Sequence, residues 1–110
     1  MAGTVSLDQA CQQIESALRK YARSKRWRKP DYILLVRPSE WESVHVLLAA
    51  KAFSDEEGFT ARNKEILDYL DRAVGREVRN RIGLLDTMSL AKYERLGLGD
   101  HLREVADKLS

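Results

Sequence analysis

The sequence predicts an α+β fold dominated by helices, with about five helices and one or two short strands; an all-helical fold is the alternative. Apolar residues recur at helical spacing along most of the chain, whereas one short apolar run lies between Pro30 and Pro38. The 110 residues are 44% hydrophobic and 33% charged, as in ordinary globular proteins. We therefore expect a single globular domain over residues 1–110.

The first predicted element is a helix that begins after Ser6, where Gln9 completes a capping box. Acidic residues lie near its start and basic residues near its end, an order that favours the helix dipole. Its apolar positions share one face at helical spacing, and they are Leu7, Ala10, Cys11, Ile14, Ala17, Leu18 and Tyr21. This face is expected to pack against the core.

The middle of the chain is predicted to contain one strand followed by two helices. The apolar run between the prolines is too short for a convincing helix and favours a strand. A second capping box at Ser39 and Glu42 predicts a helix from Glu40 to about Phe53, apolar on most sides and therefore the most buried one. A third helix is predicted from Thr60 to about Val74.

The last third of the chain leaves one element open. Residues 76–87 fit either a helix or a strand, and we favour the strand because Gly83 would cost a helix interior roughly 1 kcal/mol. A short helix at Ser89–Leu96 and a final amphipathic helix capped by Asp100 follow. Two strands make a poor sheet by themselves, so either helices cover them or a second chain extends the sheet. The second possibility predicts a homodimer.

The most unusual feature is a basic segment of eleven residues, from Arg19 to Lys29. It holds seven bases and no acid, while the other 99 residues carry a net charge of −5. If the first helix continues to its tryptophan, Arg19, Arg23 and Arg26 form a stripe that fits a phosphate backbone, and the tryptophan is available to stack on an unpaired base. The predicted binding residues are Arg19, Lys20, Arg23, Lys25, Arg26, Trp27, Arg28 and Lys29.

Two other interpretations of the basic charges remain open. Bases at the end of a helix also interact favourably with its dipole, so the segment fits a solvated helix end and linker. A secondary basic group at Arg76, Arg79 and Arg81 either extends the first one or pairs with nearby acids. An acidic protein surface is the alternative partner to nucleic acid.

The sequence shows no catalytic, metal or cofactor motif. His45 and His101 are not arranged as zinc ligands, and Cys11 is the only cysteine, among predicted core positions. No signal-like start is present, and the apolar runs fall far short of the ~20 residues of a membrane span, so we expect a cytoplasmic protein. The sequence therefore predicts a small non-enzymatic protein that binds nucleic acid, or else an interaction or scaffold module, homodimeric or part of a larger complex.

Overall fold

The computed structural model describes residues 6–54 and 59–96, with the side chains of Trp41 and Phe59 left aside. Two short 3-10 turns, Lys29–Asp31 and Glu40–Glu42, accompany the regular elements. Those elements are four helices, α1 (Leu7–Ser24), α2 (Phe59–Val74), α3 (Arg76–Arg79) and α4 (Leu90–Arg95), and three strands, β1 (Tyr32–Pro38), β2 (Val44–Ala50) and β3 (Ile82–Ser89).

The predicted architecture is wrong in its element count and in one element type, and the all-helical alternative is wrong as well. The described residues form four helices and a three-stranded mixed sheet, with strand order β1-β2-β3. The helix predicted after Asp100 lies outside the described residues. No described helix is long and apolar enough to span a membrane.

The largest error concerns residues 40–53, which form a 3-10 turn and strand β2 instead of a helix. Ser39 makes no side-chain capping bond, and β2 pairs antiparallel with β1 over its whole length. Side chains of β2 alternate between two faces, and apolar residues occupy both because both faces are covered. A strand buried on both faces loses its alternating pattern, so the sequence resembled a buried helix.

Residues 76–87 contain both of the structures that the sequence left open. Gly75 adopts a positive φ of 89° at the end of α2, and one further turn of helix, α3, follows it. The chain then enters strand β3 at Ile82, so the favoured strand is wrong for the first residues and right for the later ones. Strand β3 runs parallel to β2, and α2 is the crossover that parallel pairing requires.

Helices α1 and α2 cover one face of the sheet, and α4 covers part of the other. The main core between helices and sheet includes the fully buried Ile14, Leu18, Leu48, Ile66 and Leu70. On the opposite face a smaller cluster joins Leu47, Ala49 and Met88 of the sheet to Tyr93 of α4. The predicted core face of α1 is thus confirmed, as is its Ser6–Gln9 capping box.

The two long helices run antiparallel, which places α3 near the start of α1. The Tyr21 hydroxyl donates to a Glu65 carboxylate oxygen at 2.9 Å, and the Tyr69 hydroxyl donates to the carbonyl oxygen of Ala17 at 3.0 Å. Residues later in α2 therefore lie beside residues earlier in α1. The end of α1 accordingly lies beside the start of α2, and α3 lies toward the opposite end of the molecule.

Strand β3 is an edge of the sheet, and side chains of α2 bind its backbone. Arg62 donates to both the hydroxyl and the carbonyl oxygen of Thr87, each at 2.8 Å. Asn63 donates to the carbonyl oxygen of Leu85 at 3.2 Å and accepts from the Thr87 hydroxyl. These contacts occupy backbone carbonyls of a strand that has a neighbour on only one side among the strands the structure describes.

Candidate functional site

The basic segment falls into three structural parts. Arg19, Lys20 and Arg23 belong to α1, which ends at Ser24, and the last bases lie in a turn and in the 3-10 turn that leads to β1. Arg26 has a φ of 64°, outside the helical range. The helix does not reach Trp27, so Arg26 does not continue a stripe with Arg19 and Arg23.

Two of the seven bases have acidic partners. Arg19 donates to a Glu15 carboxylate oxygen at 3.0 Å, one helical turn before it. The hydrogen bond to Glu15 raises the pKa of the Arg19 guanidinium. Lys25 lies 3.9 Å from a Glu65 oxygen and 5.4 Å from the centre of the Tyr21 ring. The Arg19 pair therefore lies within α1, whereas Lys25 joins the end of α1 to α2.

The other five bases are exposed and lie within a ten-residue stretch, from the last turns of α1 to the 3-10 turn before β1. None of the five takes part in an ion pair with a residue that the structure describes. Only Arg23 lies in the last turn of the helix, so the helix dipole does not account for those beyond it. The basic surface consists of Lys20, Arg23, Arg26, Arg28 and Lys29.

Trp27 fastens this turn to the core. Its backbone N–H donates to the carbonyl oxygen of Ala22 at 2.9 Å, and its ring is half-buried. The ring meets Phe53 edge to face at 5.3 Å between centroids and Tyr21 at 5.8 Å, and it is tilted against Tyr32 at 6.2 Å. Such pairs stabilise the packing, so much of the indole serves the fold.

Trp27 lines an open cleft of about 230 Å³ together with Asp31, Lys51 and Ala52, here called the Trp27 cleft. The antiparallel register sets Tyr32 opposite Ala50, and the Lys51 N–H donates to the carbonyl oxygen of Asp31 at 2.8 Å. The cleft therefore lies just beyond the carboxyl end of β2.

The two charged side chains of the cleft are unpaired within the described part of the chain. The Asp31 carboxylate has no hydrogen bond there, and the Lys51 ammonium has neither a hydrogen bond nor an ion pair there. Asp31 is half-buried and Lys51 is exposed. The cleft thus offers one acceptor group and one donor group beside an aromatic ring.

The secondary basic group is well separated from the basic surface. Arg79 donates to Asp71 at 2.9 and 3.4 Å, and that interaction lowers the pKa of the Asp71 carboxyl. Arg81 donates to the carbonyl oxygen of Glu42 at 3.3 Å, while Arg76 is exposed. Because α1 is 18 residues long, about 27 Å separates its two ends, and α3 lies toward the far one.

One polar pair that the sequence interpretation missed lies on the other face of the sheet. The His45 imidazole Nε2 lies 2.9 Å from a carboxylate oxygen of Asp86, and both side chains are half-exposed. A histidine oriented by a carboxylate is half of a catalytic arrangement. Among the described residues no hydroxyl or thiol bonds to this imidazole, and no group of three metal-ligating side chains occurs.

Sequence reasoning also missed Asp31, Lys51 and Asp86 as candidate site residues. Strand alternation places His45 on one face of β2, but only the strand register joins it to Asp86. Asp31 and Lys51 are brought close for the same reason, through the pairing of β1 with β2.

Comparison of the chain with protein-family models, with curated proteins and with solved structures gives no match.

Proposed function

We propose that this protein binds nucleic acid, with the basic surface as its contact to phosphates. The observation that carries the proposal is that five exposed bases lie together at the end of α1 without ion-pair partners in the described part of the chain. The helix dipole acts within the last turn, so it accounts for Arg23 but not for the bases that follow α1. The remaining positive charge is available to a polyanion, which releases counterions when it binds.

The Trp27 cleft favours nucleic acid over an acidic protein surface as the partner. Trp27 lines an opening beside the basic surface, and proteins that bind single strands combine a basic groove with aromatic rings. An acidic peptide would use the charges but would have no need of the cleft.

The proposal is tested by titrating labelled single-stranded DNA, RNA and duplex DNA with the protein at several salt concentrations. Affinity should fall steeply between about 50 and 200 mM salt. In the variant Arg23→Gln/Arg28→Gln/Lys29→Gln, binding should weaken, and the slope of log K against log salt should decrease by roughly 2–3, about one per lost phosphate contact. Absence of wild-type binding at the lowest salt would refute the proposal.

A matched variant separates local from overall charge. Arg72→Gln/Arg76→Gln/Arg95→Gln removes the same number of positive charges from exposed positions outside the basic surface. This variant should keep most of the affinity and nearly the whole salt slope. Equal losses in the two variants would mean that the nucleic acid responds only to net charge.

A second candidate function, a homodimeric interaction module, has its own support in the sheet. Strands β1 and β3 are the two edges of the described sheet. Because side chains of α2 bind the backbone of β3, β1 is the edge left for a second chain. Exposed apolar surface also occurs elsewhere, since Leu84 of β3 and Leu96 at the end of α4 are 51% and 53% exposed. Light scattering tests this proposal, and a mass of 12.6 kDa at every concentration would contradict it.

A further inference from the structure

The Trp27 cleft has the size and the chemistry of a site for one planar heterocycle. Its volume of about 230 Å³ is smaller than the roughly 300–1,000 Å³ of pockets for drug-sized ligands. The indole of Trp27 gives it an apolar aromatic wall, and Asp31 and Lys51 give it opposite charges. The aromatic neighbours of Trp27 meet it at interplanar angles of 43–87°, so none of them stacks flat on it.

The two charged groups specify which heterocycle fits best. An ionised carboxylate accepts hydrogen bonds only, so Asp31 requires a ligand edge with donors. The Lys51 ammonium donates only, so it requires an acceptor. Guanine presents two adjacent N–H donors, at N1 and at the N2 amino group, next to the O6 acceptor on its Watson–Crick edge. Adenine, cytosine and thymine lack that pair of adjacent donors.

From this match we propose that the Trp27 cleft binds an unpaired guanine of a single strand. Asp31 accepts from N1–H and from the N2 amino group, Lys51 donates to O6, and Trp27 contacts the ring. The base must be unpaired because a duplex engages the same edge in pairing, and proteins recognise splayed-out bases on this edge. The inference rests on the proposed function, since the basic surface holds the flanking phosphates.

The test compares short oligothymidylates of one length by fluorescence anisotropy at fixed salt. One carries a central guanine, one carries hypoxanthine at that position, which lacks the N2 amino group, and one is thymine throughout. Wild type should bind the guanine probe roughly tenfold more tightly than the all-thymine probe, as a good bidentate contact to a base provides. Hypoxanthine should lose most of that preference, and so should the guanine probe in a duplex.

Asp31→Asn is the decisive variant because charge and recognition predict opposite effects. Removing a negative charge beside the basic surface should leave binding to the all-thymine probe unchanged or tighter. An asparagine amide cannot accept from both guanine donors without bringing its own N–H groups against them, so the guanine preference should disappear. Asp8→Asn, at the exposed start of α1, removes the same charge elsewhere and should keep the preference.

The outcomes separate this inference from the proposed function. If wild type binds all single-stranded probes equally, the guanine site is refuted while nucleic-acid binding stands. If no probe binds at low salt, the proposed function fails and the guanine site fails with it. If guanosine monophosphate alone competes as well as the guanine probe, the site belongs to a free nucleotide, and recognition within a strand is refuted. Circular dichroism confirms in each case that the Asp31→Asn variant is folded.

Discussion

Arg62 connects α2, strand β3 and the chain that follows β2, and replacing it with methionine removes this connection while keeping a long apolar stem. Its guanidinium donates to the hydroxyl and the carbonyl oxygen of Thr87, each at 2.8 Å, and to the carbonyl oxygen of Ser54 at 3.1 Å. It also lies 4.8 Å from the centre of the Phe53 ring. Because Thr87 is only 8% exposed, water replaces these bonds poorly.

The expected loss can be worked out from these contacts. Hydrogen bonds to a charged donor contribute about 1.5–3 kcal/mol each, and for the two bonds to Thr87 we take the lower value because Arg62 is half-buried. The exposed bond to Ser54 is not counted, and the contact with Phe53 adds about 0.5 kcal/mol. Apolar contacts of the methionine offset a similar amount. Arg62→Met should therefore lower the free energy of unfolding by about 3 kcal/mol.

Urea unfolding measures this loss, and Lys64→Met provides the control. With a denaturant slope of about 1.5 kcal/mol per molar, the midpoint should fall by roughly 2 M for Arg62→Met. Lys64 lies on the same helix in an exposed ion pair with Asp68, and such a pair contributes only about 0.3–0.5 kcal/mol. If the two variants shift the midpoint equally, the bonds to Thr87 do not stabilise the fold and the reasoning is refuted.

Two further predictions concern pH. Burial and the hydrogen bond to Glu65 raise the pKa of the Tyr21 hydroxyl above its ordinary value of about 10, so its stabilisation is complete below about pH 10 and is lost as the pH rises further. The free energy of unfolding of wild type should fall more steeply above pH 10 than that of Tyr21→Phe. Parallel curves for the two proteins would contradict this. Arg79 lowers the pKa of Asp71, so their pair stabilises the fold above about pH 4 and is lost as the pH falls below it. The difference in melting temperature between wild type and Asp71→Asn should therefore shrink toward low pH, and a constant difference would argue against the pair.

The candidate site divides into parts that the sequence reveals and parts that it does not. A run of bases without acids is visible in composition alone, and six of its seven bases are exposed. The positive φ of Arg26 belongs to a local turn at the end of α1, which the Trp27 N–H closes on the Ala22 carbonyl oxygen. The burial of Trp27 also depends on Phe53, which lies elsewhere in the chain. Asp31 meets its partner in the cleft only through the register of β1 and β2.

The sequence by itself determined those features whose interactions are local. The start of α1 is an example, because Ser6 and Gln9 cap each other three residues apart and the apolar stripe repeats every turn. Strand β2 is the opposite case, since its apolar run fits a buried helix as well as a strand. Only the tertiary structure decided between them, by providing β1 and β3 as hydrogen-bonding neighbours and helices for both faces. The physical reason is that a helix satisfies its backbone within itself, whereas a strand depends on partners distant in the chain.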